Sequence, residues 1–413
     1  MDDTQRCFLN LLSCGARGVS AESFDGEVDW DALMGIAAEQ SVIPSIYVGL
    51  VKCPGIPERI IDSARQLAIF RCSRQASAYN ELKTLIEKFH SAGIPMLVFK
   101  GIVMAVLYPD PAQRISSDAD VLIRHEDYSR ANELLAANGY VLDEKNEKAH
   151  VKPYSNDKLA IDLHSKLWGD VKLRRIELVE KLRLGSFENQ IFINALGTQI
   201  PTLGCPEHFL YLFIHMAKHF ILKGAGIRNL VDIALYFNKY KSEIDADWLW
   251  AAIKDFEFTT LAKYLFSICI KYFGMDSSIL PDGEELDADI EDALICDILE
   301  GGIYGSTKAR EVSQSTVMSV YRKGEAKKSM FGLMWMTMFP GTQSLPVKYG
   351  YAKRHKILLP VAWIHRLFNF VFNRALSGRR VAVTAVLDQA DKRVSLLSAM
   401  GIIKSLQEGI END

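Results

Sequence analysis

Asp118 and Asp120 lie two residues apart in Ser117-Asp-Ala-Asp-Val-Leu-Ile123, where alternating polar and apolar residues predict a strand. On a strand, residues i and i+2 share a face. The two carboxylates therefore stand side by side, about 7 Å apart along the backbone, while Ala119, Val121 and Ile123 face the other way. Two like charges held in this manner attract a divalent cation. A third carboxylate follows in Lys158-Leu-Ala-Ile-Asp-Leu-His164, where Asp162 and His164 share the polar face and Leu159, Ile161 and Leu163 the buried one.

The elements that must position these groups begin upstream. Leu82, Leu85, Ile86 and Phe89 have helical spacing closed by Gly93, and the apolar strand Met96-Leu-Val-Phe99 follows, emptying into Lys100-Gly101. A helix expected over roughly 102–107 completes a strand-Gly-helix turn, the geometry that aims backbone N–H groups at a phosphate. Lys100 reads either as a strand-end lysine reaching solvent or as a cation on phosphates. Tyr108-Pro-Asp-Pro111 ends that helix and supplies the loop before the Asp pair. On this loop Arg114 is spaced to neutralise pyrophosphate or to pair with Asp110 or Asp118, while Ser116 and Ser117 suit loop positions that cap their own backbone.

Phe99-Lys-Gly101, Tyr108-Pro-Asp110, Arg114-x-x-x-Asp118-x-Asp120-Val-Leu, the Asn138-Gly-Tyr140 helix end and Ile161-Asp-Leu-His164 resemble the uncharacterised bacterial nucleotidyltransferase family, within the superfamily built on a polymerase-beta-like palm. The resemblance extends to Met338-Phe-Pro340 and to Leu358-Leu-Pro-Val-Ala-Trp-Ile-His-Arg366. Superfamily members usually carry Gly-Ser in the phosphate loop, where this chain has Lys100-Gly101. The resemblance implies an α+β fold with a small mixed-sheet palm flanked by helical regions. It also implies Mg²⁺ or Mn²⁺ held by Asp118, Asp120 and Asp162, and an NTP donor, ATP foremost, contacted by Lys100, Gly101, Arg114 and Ser117. The implied reaction moves a nucleoside monophosphate to a hydroxyl or phosphate of a small-molecule, peptide or protein acceptor, with Asp162 either on a second metal or accepting the acceptor's proton.

Composition bounds the rest. At 413 residues the chain exceeds one domain, and the expected division is 1–89 helical, 90–203 palm, 204–299 helical and 300–413 helical. A net charge of −3 offers no global attraction to nucleic acid, and the absence of a basic, aromatic-interleaved stripe speaks against a long nucleic-acid partner. The seven cysteines, at 7, 14, 53, 72, 205, 269 and 296, form no C-x-x-C pair and read as buried thiols. With no basic, apolar leader after Met1, a cytoplasmic setting is expected.

Farther along, Pro206 opens a helix of about seventeen residues whose His208, His215 and His219 share a face. His215-x-x-x-His219 lacks the glutamate and third ligand of a zinc protease, so these histidines suit core packing or, with His164, Lys218 and Asp232, the acceptor side of a cleft. The acidic stretch 276–297 reads as a solvated face or linker. No segment is long and apolar enough to span a membrane. In 357–374, Val361, Ile364, Leu367, Phe368 and Val371 line one helix face. That face suits packing against the rest of the protein or, aided by Lys348, Lys353, Arg354, Lys356 and Arg374, contact with a membrane surface. Two rival functions use the same residues: glycosyl transfer from a nucleotide sugar, where Asp-x-Asp also binds a metal-diphosphate, and a catalytically silent palm serving as a scaffold.

Overall fold

The structure, a computed structural model, describes residues 1–302 except 149, 169–175, 223, 282 and 284, together with 339, 341, 345, 349, 351–352, 355–365 and 392–402. It divides into two compact units, one of Met1–Ala217 with Gly226–Asp287, the other of Lys218–Ala225 with Ala288–Asp413.

The first unit begins with helices α1 (Asp3–Arg17), α2 (Trp30–Glu39), α3 (Ile43–Lys52) and α4 (Glu58–Ser91). Asp2 and Gln5 cap α1 reciprocally, each side chain accepting the other's backbone N–H. Helices α1 and α3 cross so closely that a Cβ on Gly15 would stand 1.7 Å from the Ser45 carbonyl, and one on Gly49 would stand 2.1 Å from that of Leu11. The predicted stripe Leu82, Leu85, Ile86 and Phe89 occupies only the last third of α4. The rest is buried through Ile60, Ala64, Ala68, Gln75 and Tyr79, small or polar residues that give little apolar periodicity. Gly93 takes φ 63, the left-handed conformation its position after the helix requires.

The central section contains β1 (Met96–Phe99), α5 (Gly101–Ala105), β2 (Ala119–Ile123), α6 (Tyr128–Ala137), β3 (Val141–Leu142), β4 (Val151–Ser155), β5 (Ala160–His164), α7 (Ile176–Lys181), β6 (Ile191–Ala195) and β7 (Thr198–Thr202). Five strands form a mixed sheet in the order β1-β2-β5-β4-β3, in which β2 and β5 run parallel and the other pairs antiparallel. β6 and β7 form a separate hairpin whose turn, Leu196 and Gly197, has positive φ at both residues; β7 packs beside β1. Helix α5 is one short turn and ends two residues before the expected Leu107.

Helices α8 (Cys205–Leu222), α9 (Ile227–Tyr240), α10 (Ala246–Asp255) and α11 (Thr259–Phe273) follow, with α8 starting one residue before the expected Pro206. Phe209 and Phe213 on α8 pack on Phe266 of α11 at 5.9 and 5.5 Å between ring centres. The fold is thus α+β, with helices flanking the small mixed sheet on both sides in sequence.

In the second unit, α12 (Ala288–Gly301) occupies the latter part of the acidic stretch expected to be a solvated face or linker. Its Leu294, Ile295, Ile298 and Leu299 are buried at helical spacing among the surface carboxylates. Arg393, buried, donates to Asp297 and to the Phe220 carbonyl. Residues 359–365 are helical, and Ala362 packs with Leu345, Tyr349 and Ala352. Val361 and Ile364, expected on a face packed against the protein or turned to a membrane surface, are 52% and 64% exposed, and Leu367, Phe368 and Val371 lie outside the described residues. Among the described residues no helix is long and apolar enough to cross a membrane.

Candidate active site

Asp120 stands in register with Asp162 across the parallel pair β2 and β5, and with Phe99 across β1 and β2. Register partners project from the same face, so two carboxylates 42 positions apart in sequence meet because the chain returns to pair in parallel. His164, two residues beyond Asp162, shares that face, and its Nε2 lies 3.0 Å from Asp120 Oδ1. One donor atom each from Asp120, Asp162 and His164 falls within 4.8 Å of the other two, a set whose chemistry fits a divalent cation. Asp118, just ahead of β2, lies outside this tight trio and accepts from the Ser117 hydroxyl at 3.1 Å.

The three carboxylates are electrostatically unequal. Burial, and then the charges of Asp120 and Asp162, push the Asp118 carboxyl above its usual range. Asp162 is raised in the same way by burial and by Asp120. For Asp120, burial acts upward, but Lys100 and His164 outweigh it and hold the group well below the usual carboxylate range. Asp120 is therefore the fixed anion, and the negative charge crowded around it is what a dication would relieve.

Lys100 takes φ 55 and Gly101 φ 36, so the turn out of β1 has two successive positive φ values. A lysine there is strained. Its backbone N–H is held by His208 Nε2 at 3.3 Å, and His208 Nδ1 lies 3.5 Å from Thr202 Oγ1. Burial, then the Lys100 charge, lowers the His208 pKa to about 3, so the ring is neutral and Nε2 serves as an acceptor. A Cβ on Gly101 would meet only the Asp118 carbonyl and Ser116 Oγ, both at 3.8 Å, so backbone conformation rather than space selects glycine. The Lys100 side chain is turned toward Asp120: Nζ lies 3.1 Å from Asp120 Oδ2 and 5.3 Å from the Tyr211 ring centre.

The loop before β2 is fastened from several directions. Arg114 pairs with Asp232 of α9 at 2.7 Å, both almost wholly buried, and Tyr108 donates to the same carboxylate at 2.9 Å. The carboxylate partner is thus Asp232 where Asp110 or Asp118 was expected. A guanidinium folded inside needs a buried counterion, and Asp232 supplies it. Tyr79 donates to the Arg114 carbonyl at 2.9 Å, Gln75 Oε1 accepts the Ser116 N–H at 2.7 Å, and Arg228 donates to the Ile115 carbonyl.

Helix α8 supplies one wall. Tyr211 meets Phe99 edge-on at 5.2 Å, stacks on His215 at 5.6 Å and lies 5.0 Å from Trp168. His215 is close enough to help hold Asp120 ionised, whereas Lys218 and His219 fall in the second unit. His164, read from sequence with the acceptor side, sits inside the carboxylate group. Tyr211, Trp168 and the anchoring role of His208 gave no separate sequence signal, because aromatic residues and a histidine on an apolar helix face look like core.

A small mixed sheet carrying paired carboxylates behind a strand-Gly-helix turn defines a nucleotidyltransferase palm. The chain belongs to the uncharacterised nucleotidyltransferase family, whose model matches residues 26–274. Among solved structures, an antigenic nucleotidyltransferase-like protein from Paracoccidioides brasiliensis is similar at 13% identity, with 50% of this chain and 97% of that chain covered and a TM-score of 0.30. No curated protein matches the chain.

Proposed function

We propose that the protein transfers a nucleoside monophosphate from an NTP, ATP foremost, to a hydroxyl or phosphate of a small-molecule, peptide or protein acceptor, with Mg²⁺ or Mn²⁺. The observation that carries this reading is the register of Asp120 with Asp162, which brings two carboxylates and His164 together behind the Lys100-Gly101 turn. A bound dication supplies charge neutralisation on the nucleotide phosphates and the pyrophosphate leaving group. Asp120 and Asp162 would hold it, and Asp118 adds negative charge just ahead of β2. Lys100, beside Asp120, is the cation nearest the phosphates. Asp162, on the neighbouring strand β5, is also the candidate base for the acceptor hydroxyl. The seven cysteines form no disulfide with one another, in keeping with a reducing, cytoplasmic setting.

A screen of labelled NTPs against metabolite and peptide pools, following pyrophosphate release, tests this. Metal-dependent pyrophosphate release that is absent in Asp120→Asn is expected. Release of nucleoside diphosphate from a nucleotide sugar would replace the reading with glycosyl transfer. Tight nucleotide binding without turnover, unaffected by Asp120→Asn, would leave a silent palm.

A further inference from the structure

The imidazole of His164 is 7% exposed, yet one of its nitrogens belongs to the same tight donor group as Asp120 and Asp162. Its Nε2 stands 3.0 Å from Asp120 Oδ1. Two donors bound cis on one ion at about 2.1 Å each stand about 3 Å apart, so an ion can enter between this nitrogen and this oxygen with little movement of either strand. Lys100 occupies the other oxygen, Oδ2, which leaves Oδ1 as the Asp120 atom turned toward His164. Nδ1 of His164 is buried with no hydrogen-bond partner among the described residues, so the ring's polar partnership is made on the Nε2 side alone.

From this geometry we propose that His164 is itself a metal ligand, with Asp120 and Asp162, and that the site therefore selects a first-row transition-metal dication of the Mn²⁺ class over Mg²⁺. The proposal rests on the reading of this site as a nucleotidyltransferase metal centre and adds to it the identity of the third donor. Mg²⁺ prefers an all-oxygen shell and gives up water reluctantly, whereas first-row transition-metal dications, from Mn²⁺ onward, accept an imidazole nitrogen more readily. Two carboxylates and one imidazole therefore differ in preference from three carboxylates. The alternative role for His164 is a hydrogen bond that merely positions Asp120, and that role would support both ions alike.

Full-length protein titrated with MnCl₂ by electron paramagnetic resonance, with MgCl₂ as competitor, separates the two. Wild type is expected to bind Mn²⁺ in clear preference to Mg²⁺, and its Mn²⁺ spin echo should show nitrogen coupling that changes isotopically when histidine is nitrogen-15 labelled. His164→Gln should lose that coupling and weaken Mn²⁺ binding by about tenfold or more, with a much smaller change for Mg²⁺. If His164→Gln does not fold, His150→Gln and His215→Gln must both retain the coupling. Absence of nitrogen coupling in wild type, its persistence in His164→Gln, or an equal fall for both ions overturns the proposal. In those cases loss of Mn²⁺ binding in Asp120→Asn would still uphold the metal centre. No binding of either ion by wild type, with or without ATP, overturns both.

Discussion

The two oxygens of Asp120 answer to different partners: Oδ2 lies 3.1 Å from Lys100 Nζ, and Oδ1 lies 3.0 Å from His164 Nε2. Lys100 is thereby both the countercharge of the most strongly ionised carboxylate and the first cation beside the turn where phosphates are expected. Lys100→Met should raise the apparent KM for the NTP by about tenfold or more and lower kcat less, because the phosphates are already charged in the ground state. Steady-state kinetics together with nucleotide-binding calorimetry check this. Unchanged nucleotide affinity would confine Lys100 to neutralising Asp120.

Asp120 and Asp118 should separate in mutants although they are only two residues apart. Asp120→Asn removes the trio's central negative charge and should cost about two orders of magnitude or more in turnover, together with metal binding. Asp118→Asn, outside the trio, should lose less metal affinity. Calorimetric titration of both variants with MnCl₂ decides, and equal losses would place Asp118 among the ligands.

Asp162 carries two candidate roles that split by readout. If it is the base, Asp162→Asn should depress turnover by about two to four orders of magnitude while nucleotide and metal still bind. If its main role is as a ligand, metal affinity falls with rate. Near-normal turnover with a true acceptor would remove Asp162 from the chemistry.

The Arg114–Asp232 pair makes a stability prediction. Both groups are almost wholly buried, so Asp232→Asn leaves an uncompensated guanidinium and should destabilise the fold by about 3–5 kcal/mol. Arg114→Met in the same background should recover part of that loss. Urea unfolding of the two single variants and the double variant measures the coupling, and additive losses would show that the pair contributes little.

His208 predicts how stability changes with pH. Its folded pKa of about 3 lies below the ordinary 6.5, so between those values the unfolded chain binds the extra proton. The stabilisation is complete above pH 6.5 and falls by about 1.4 kcal/mol per pH unit on acidification, until the folded ring itself protonates near pH 3. His208→Gln, which keeps an acceptor for the Lys100 N–H, should flatten the slope by that amount when unfolding is compared at about pH 7 and about pH 5. An unaltered slope would mean that the ring is not held neutral.

The chemistry-bearing strands were legible because they are local. Ser117–Ile123 and Lys158–His164 alternate with period two, and their carboxylates fall on the polar phase. Helix α8 announced itself through Pro206. What sequence could not supply was the identity of distant partners. Arg114 meets Asp232 across 118 positions, and nothing near Arg114 distinguishes that partner from Asp110 or Asp118. Composition hid α12, whose four buried aliphatics are diluted by acidic residues, and it hid the first half of α4, which packs through alanine and glutamine.

The fastening of the Ser117 loop also sets a timetable. Gln75 and Tyr79 are in place before the loop is made, but Arg228 and Asp232 come more than a hundred residues later. On the ribosome, β1, β2 and β5 with all three carboxylates are complete well before the charge that neutralises Arg114 has emerged. A nascent chain halted short of residue 232 would thus carry every acidic group of the site with the loop feeding them untied on one side. The loop is tied on every side only once α9 is made, not with the palm.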